Sequence, residues 1–267
     1  MRVEIKVLGP LEVSVGGVPI VLTASKPSQA LAMLALNAGR VVTMNALTEE
    51  IWDREPPRSG LPTLHTYILK LRRKLDAALA GNGARTAKDV LVTRRSGYLL
   101  DLEPGDVDAV RYEQLSAAGR RAVNAGDHER ASVTLGEGLN LWRGAALADV
   151  ATGPQLAIEA VRLNENRLGD LHLRIEADLR LGRHHQLLGE LATLCARHPL
   201  LENFCAQQMV ALCRSGRQSQ ALEAYRRLRA DMTDQLGVEP SHRLRRLHHG
   251  ILTGQAVIDD PEFVFNR

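Results

Sequence analysis

The pattern of secondary structure changes once along this chain, and that change limits the fold more than any other feature of the sequence. Up to Glu103-Pro104-Gly105, short alternating segments with Gly and Pro turns flank amphipathic helical segments, and beyond that point the pattern is helical throughout. Alternation with period 2 predicts strands, whereas apolar residues at i, i+3 and i+4 predict helices. We therefore predict two domains, at residues 1–103 and 106–253, followed by a tail at 254–267.

The predicted elements of the first domain come in the order β-meander, three helices, β-hairpin. RVEIKVL, LEVSV and VPIVL alternate and are separated by Gly9-Pro10 and Gly16-Gly17. Three amphipathic segments follow, and the third runs over residues 60–79. VLVTRRSGYLLDL then predicts a two-stranded hairpin at 90–101 with two arginines in its turn. Three helices with a basic third helix and a basic hairpin are typical of a winged helix-turn-helix.

Short motifs that begin with glycine recur in the second domain. GRHHQL and GRQSQA begin at Gly182 and Gly216, which are 34 residues apart. This is the period of helix–turn–helix repeats of the TPR kind. GDHERA begins at Gly126, and the longer interval that follows it contains the irregular stretch LWRGAALADVATGPQ. We therefore predict an all-α, TPR-like repeat domain, in a chain that is mostly α with small β.

Composition agrees with a helical core. Aromatic residues make up 3% of a chain that is 45% hydrophobic, so the core must consist mainly of Leu, Ala and Val. No run of about eighteen apolar residues occurs that would span a membrane. The N-terminal segment also lacks the apolar stretch of a signal peptide. We therefore expect a cytoplasmic protein without a membrane partner.

The positive charge of the chain lies in the first domain. Residues 1–103 hold 14 Lys and Arg against 10 Asp and Glu, whereas residues 104–267 hold 20 against 21. From Pro56 to Leu75 there is no acidic residue, and TLHTYILKLRRKL within this stretch holds four basic ones. A basic surface confined to one domain suits the phosphate backbone of a nucleic acid.

The segment at 60–79 predicts a helix with one apolar face and one basic face. Leu64, Ile68, Leu71 and Leu75 share a narrow arc at about 100° per residue, and they anchor the helix to the core. The predicted readers of base edges lie on other parts of the helix surface: Thr63, Thr66, Lys70 and Arg73. Lys and Arg can hydrogen-bond guanine edges, and a Thr methyl can contact the methyl group of thymine.

A second group of residues is expected to contact DNA phosphates or to belong to the wing. It comprises residues of the first helix, the turn before the basic helix, the basic helix itself and the hairpin: Lys26, Arg58, Tyr67, Arg72, Lys74, Thr93, Arg94 and Arg95. For Tyr67, packing is favoured over donation to a phosphate. A basic face is often only solvated, but the Glu partners at i−4 that an ordinary solvated helix carries are missing here.

Several stretches of this sequence resemble a known pair of domains. LGPLEV, KPSQALAMLALNAGRVVTMNALTEEIWDREPP, TLHTYILKLRRKL and VTRRSGYLLDL resemble the OmpR/PhoB-type winged helix, an effector domain of two-component systems. NLWRGAALADV and ALEAYRRLRADMTDQLGVEP resemble the bacterial transcriptional activator domain that follows this winged helix in the Streptomyces antibiotic regulatory proteins. The resemblance extends over residues 2–253.

The resemblance implies a pathway-specific transcriptional activator of an antibiotic biosynthetic gene cluster. Proteins of this family bind tandem direct repeats in promoters and recruit RNA polymerase holoenzyme, including its sigma factor. The expected partners are double-stranded promoter DNA, a second protomer in tandem on that DNA and the polymerase, so the protein should be associated with the nucleoid. No receiver domain is expected before the winged helix and no sensor domain after it, which leaves the mode of control open.

Other classes of function compete with this interpretation. No P-loop, dinucleotide-binding, nucleophile-elbow or H-E-x-x-H motif occurs, so no enzyme activity, catalytic residue or cofactor is predicted. The three cysteines form no C-x-x-C pair and the adjacent histidines diverge on a helix, so no metal site is predicted and the thiols should be buried and reduced. A protein-interaction scaffold built on the helical repeats is one alternative, and a repressor with the same DNA-binding unit is another.

Overall fold

The computed structural model describes residues 2–53, 55–80 and 85–254. Within these ranges the chain is mostly helical with two small antiparallel sheets, which confirms the predicted fold class. The chain divides into two units: unit 1, Met1–Ala117 with Glu137–Leu168, and unit 2, Ala118–Gly136 with Gly169–Arg267. Residues 81–84 and the predicted tail from residue 255 onward lie outside the described residues.

Three short strands open unit 1 as an antiparallel meander: β1 (Val3–Lys6), β2 (Glu12–Val15) and β3 (Val18–Pro19). They pair in chain order, with Ile5 of β1 opposite Val13 of β2. Both side chains are buried, as the period-2 alternation predicted. The third strand is shorter than predicted. Its segment leaves Val18 and Val21 more than 60% exposed, so little burial of apolar surface favours a longer strand.

Four helices follow in unit 1: α1 (Ser25–Leu36), α2 (Met44–Trp52), α3 (Gly60–Leu79) and the short α4 (Ala87–Val90). The bounds of α3 are those that the sequence predicted. Helix α2 begins after Thr43, whose hydroxyl accepts from the amide of Ala46 at 3.1 Å and so satisfies one of the free N–H groups of the first turn. The residues buried between α1, α2 and α3 belong to one continuous hydrophobic core.

A second sheet completes the winged helix, and it consists of β4 (Val41–Thr43), β5 (Leu91–Arg94) and β6 (Gly97–Leu100). The order in space is β4-β6-β5, so the predicted hairpin β5–β6 has a third strand beside it. The sequence analysis missed β4, because three residues are too few to show an alternation. This strand ties the hairpin to the start of α2.

The helical half begins with α5 (Asp108–Asn124), α6 (His128–Leu139) and α7 (Pro154–Arg180), and unit 1 contains the first parts of α5 and α7. The Asp108 carboxylate accepts from the amides of Val7 (2.7 Å) and Leu8 (3.0 Å). Burial raises the pKa of this carboxyl group, although the two amides and Arg143 act in the opposite direction. Unit 1 therefore reaches past the boundary predicted at residues 103–106, and that division into domains stays a prediction.

Glu50 on α2 fastens the winged helix to the start of α7. Its side chain is buried, and its carboxylate accepts from the amides of Gly153 (2.6 Å), Gln155 (2.9 Å) and Leu156 (3.1 Å). The side-chain amide of Gln29 on α1 donates to the same carboxylate at 3.1 Å. Free amides at a helix N-terminus favour a negative charge. A charge that is costly to bury is thereby fully hydrogen-bonded.

Unit 2 contains helices that follow one another along the chain and pack on their neighbours. Its last four are α8 (His184–Arg197), α9 (Glu202–Arg214), α10 (Gln218–Leu236) and α11 (His242–Thr253). The predicted repeat glycines Gly182 and Gly216 each lie two positions before the first residue of a helix, α8 and α10 respectively, and their φ angles are 76° and 72°. A Cβ atom there would meet nothing within 4 Å, so backbone conformation is the reason for glycine. The predicted helical repeat is confirmed.

The cysteines are all in unit 2 and are free thiols. Burial raises the pKa of Cys195 and of Cys213 to about 11, and it raises the pKa of Cys205 further. At neutral pH these thiols are therefore protonated and weakly nucleophilic. In the described ranges, no helix combines the length and the hydropathy that a membrane crossing requires.

We predict that Glu50→Ala lowers the free energy of unfolding of unit 1 by about 2–4 kcal/mol, because three amides at the start of α7 lose their acceptor. Both tryptophans of the chain, Trp52 and Trp142, belong to unit 1, so urea unfolding followed by tryptophan fluorescence measures this unit. Glu49→Ala, at an exposed neighbouring position on α2, is the control and should change stability by less than about 0.5 kcal/mol. Equal effects of the two substitutions would contradict the role of Glu50.

Candidate nucleic-acid interface

Helix α3 is held by four apolar side chains at the positions that the helical period predicted. Leu64, Ile68, Leu71 and Leu75 are at most 5% exposed and belong to the core of unit 1. Because these residues share one face, the opposite face of α3 is turned to solvent. We call this opposite face, formed by Pro62, His65, Thr66, Leu69, Lys70 and Arg73, the outward face.

Three of the four residues predicted to read bases lie on the outward face. Thr66, Lys70 and Arg73 are exposed, whereas Thr63 is half-buried. The Thr66 hydroxyl donates to the carbonyl oxygen of Pro62 at 3.0 Å, so its methyl group is the part of the side chain left for other contacts. Among the described residues, no hydrogen bond or ion pair engages the cations of Lys70 and Arg73. Both are available to a ligand.

Arg72, predicted to contact a phosphate, is engaged within the protein. Its Nε donates to the carbonyl oxygen of Leu91 (3.0 Å), and its Nη2 donates to Oγ1 of Thr93 (2.8 Å). The guanidinium also lies 5.9 Å from the centre of the Tyr98 ring. Burial raises the pKa of Tyr98, although the charge of Arg72 lowers it. Arg72 thus braces the hairpin β5–β6 against α3, and the phosphate role of Arg72 and Thr93 stays a prediction.

Lys74, Lys26 and Tyr67 also make contacts inside unit 1. The Lys74 Nζ donates to the carbonyl oxygen of Val21 at 2.7 Å, which ties the end of the meander to α3. The Lys26 Nζ lies 5.0 Å from the centre of the Trp52 ring, on which Tyr67 stacks at 6.1 Å between ring centroids. Tyr67 therefore packs, which was the favoured alternative. The phosphate contacts predicted for these three residues remain untested.

The tip of the hairpin carries Arg94 and Arg95, and both side chains are exposed, as is Arg58 in the turn before α3. The neighbouring strand β4 fixes the position of the tip. A Cβ atom on Gly97 would lie 1.9 Å from the carbonyl oxygen of Val42, so a larger residue would push β4 away from β6. The hairpin cations are consequently held at a defined place relative to α2 and α3.

The outward face includes three residues that the sequence analysis did not name: Pro62, His65 and Leu69. The His65 ring lies edge-on to Tyr98, with ring centroids 6.5 Å apart. Leu69 is 48% exposed, and it was not among the residues predicted to anchor the helix to the core. The helical period could have identified Leu69 as exposed, because Leu69 falls outside the apolar stripe formed by Leu64, Ile68 and Leu71. The sequence analysis considered only Lys, Arg and Thr as readers of bases, so it did not select these positions.

The arrangement offers hydrogen-bond donors and positive charge on one exposed helix, next to a rigid basic hairpin. Nucleic acid offers a partner for each of these features. Its phosphates carry negative charge, and its base edges carry hydrogen-bond acceptors. In the part of the chain that the structure describes, no cluster of three or more His, Cys, Asp or Glu residues is placed to hold a metal ion.

Comparison with known proteins agrees with this geometry. Residues 17–100 match the family model "Transcriptional regulatory protein, C terminal", and residues 107–252 match "Bacterial transcriptional activator domain". Regulatory protein DnrI of Streptomyces peucetius is 49% identical over 96% of this chain and 94% of its own length. Transcriptional regulator RedD of Streptomyces coelicolor is 36% identical over 99% of this chain and 75% of its own length.

A solved structure extends the likeness to three dimensions. Mycobacterium tuberculosis EmbR, in complex with a low-affinity phosphopeptide, matches with a TM-score of 0.87 and 32% identity, over 98% of this chain and 67% of that one. Both halves of the sequence and the fold thus lead to the same assignment. The chain belongs to the Streptomyces antibiotic regulatory protein family of DNA-binding transcriptional activators, in which an OmpR/PhoB-type winged helix precedes a bacterial transcriptional activator domain.

Proposed function

We propose that this chain activates an antibiotic biosynthetic gene cluster by binding tandem direct repeats in the promoter and recruiting RNA polymerase holoenzyme. The observation that carries the proposal is the outward face of α3, where Lys70 and Arg73 are exposed and no acidic residue occurs between Pro56 and Leu75. A positively charged face of this kind attracts the phosphates of DNA. Membership of the family supports the type of pathway.

In this proposal, some residues contact base edges and others contact phosphates. Helix α3 enters the major groove, where Lys70 and Arg73 donate to guanine and the methyl groups of Thr63 and Thr66 are near thymine. The exposed arginines at 58, 94 and 95 neutralise phosphates and set the register of the helix on the duplex. Arg72 and Lys74 act indirectly, because their hydrogen bonds hold the hairpin and the meander beside α3.

Two protomers bind head to tail on the repeats, about one helical turn (~10 bp) apart, so that both approach the same side of the DNA. The helical half holds the second protomer or meets the polymerase with its sigma factor, since stacked helical repeats create extended binding surfaces. The protein then acts at promoters in the nucleoid. A repressor would share the DNA contacts and differ only in the effect on the polymerase.

We predict that Lys70→Ala and Arg73→Ala each weaken binding to the promoter site by about 1–3 kcal/mol and relax base preference at one position. The measurement is a fluorescence-anisotropy titration of the promoter duplex and of its single base-pair variants. Arg197→Ala, at an exposed position at the end of α8, is the matched control and should leave affinity unchanged within about twofold. Unchanged affinity in both α3 variants would refute the assignment of this face.

We predict a different effect for Arg95→Ala, because a phosphate contact carries no base information. Affinity should fall by the same factor on the promoter site and on unrelated DNA. With about six phosphates neutralised, log K of the wild type should fall with log salt at a slope near about −5, and the variant should lose about one unit of that slope. A loss confined to the promoter site would instead make Arg95 a reader of sequence.

We predict that transcription depends on the phase of the two repeats. In run-off transcription with purified holoenzyme, insertion of about 5 bp between the repeats should abolish activation, and insertion of about 10 bp should restore it, because one helical turn returns both protomers to one side. A template without repeats is the control. A protein-dependent fall in transcript on the native template would favour the repressor alternative.

A further inference from the structure

Leu69 is the most unusual residue of the outward face. Its side chain is 48% exposed, whereas Leu64, Ile68 and Leu71 on the same helix are at most 2% exposed. A leucine at this exposed position does not contribute to the packing of the core. The position is instead turned toward the ligand that the outward face is built to bind.

The neighbours of Leu69 place it at the centre of that face. On a helix, residues three and four positions away are adjacent on the surface, and here these are Thr66 and His65 before it and Arg73 after it. All three are exposed and polar. The remaining neighbour at this spacing, Arg72, is held by the hairpin. Leu69 is therefore an isolated apolar group among residues able to hydrogen-bond base edges.

The chemistry of the major groove gives such a group one partner. Along the base edges exposed in this groove, donors and acceptors alternate, and the apolar feature is the C5-methyl group of thymine. We propose that Leu69 is a specificity-determining residue that packs against a thymine methyl group in the binding site. This inference rests on the proposed function, since it requires α3 to lie in the major groove.

The expected change in affinity follows from the apolar surface of one methyl group that is buried on binding. Burial of a methyl-sized apolar group is worth about a fourfold change in affinity. Replacement of thymine by uracil removes the methyl group and leaves the Watson–Crick edge unchanged. Wild-type protein should therefore bind a duplex with uracil at the contacted position about fourfold more weakly, and Leu69→Ala should be insensitive to the same replacement.

The experiment uses the full chain and proceeds in two stages. A binding duplex is first selected from a random library by the wild-type protein. Each thymine of that duplex is then replaced singly by uracil, and affinities are measured by anisotropy for the wild type, for Leu69→Ala and for Leu236→Ala. Leu236 is 56% exposed at the end of α10 and is the matched control. Far-UV circular dichroism verifies that each variant is folded.

The expected result is one or two thymines whose methyl group matters for the wild type and for Leu236→Ala, but not for Leu69→Ala. If the wild type selects a sequence and its affinity changes at no thymine, the assignment of Leu69 is wrong while the proposed function stands. If Leu69→Ala loses the same factor as the wild type when uracil replaces thymine, the assignment is also wrong, and Leu69 makes a contact of another kind. If the wild type selects no sequence, both proposals fail.

Discussion

The buried carboxylate of Glu50 is the interaction on which the arrangement of unit 1 depends. A charged group that is 1% exposed is tolerated only when its hydrogen bonds are complete, and here they come from three amides at the start of α7 and from Gln29 on α1. The approach is so close that a Cβ atom on Gly153 would lie 2.0 Å from the carbonyl oxygen of Glu50. The helix-turn-helix and the first part of α7 are therefore one body.

The same principle recurs where α5 begins. Asp108 accepts from two amides that follow β1, and the side chain of Asp149 accepts from the amide of Leu11 at 2.7 Å. Trp142 packs edge-to-face on Tyr112, with 5.3 Å between ring centroids. These contacts join the meander to the start of the helical half within unit 1.

Structural features that depend on residues close together in the chain were predicted from the sequence, whereas contacts between residues far apart in the chain were not. The apolar stripe of α3, its bounds at residues 60–79 and the repeat glycines were all predictable, because each depends on residues close together in the chain. The role of Glu50 was not, since its partners lie about a hundred residues away. The contacts of Arg72 were missed for a similar reason: a basic residue on a basic helix gives no sign that a carbonyl oxygen of β5 will be its acceptor.

Arg72 connects the basic helix to the hairpin instead of presenting its charge on the exposed surface. Of the four cations in TLHTYILKLRRKL, two are engaged by hydrogen bonds within the protein, those of Arg72 and Lys74. A planar guanidinium can bond two oxygens of the hairpin and face Tyr98 at once, which the ammonium group of a lysine cannot do. The hairpin tip is thus held in a fixed relation to the recognition helix. Arg94 and Arg95 are exposed at that tip, and Lys70 and Arg73 are exposed on α3, so one packed unit carries both pairs of cations.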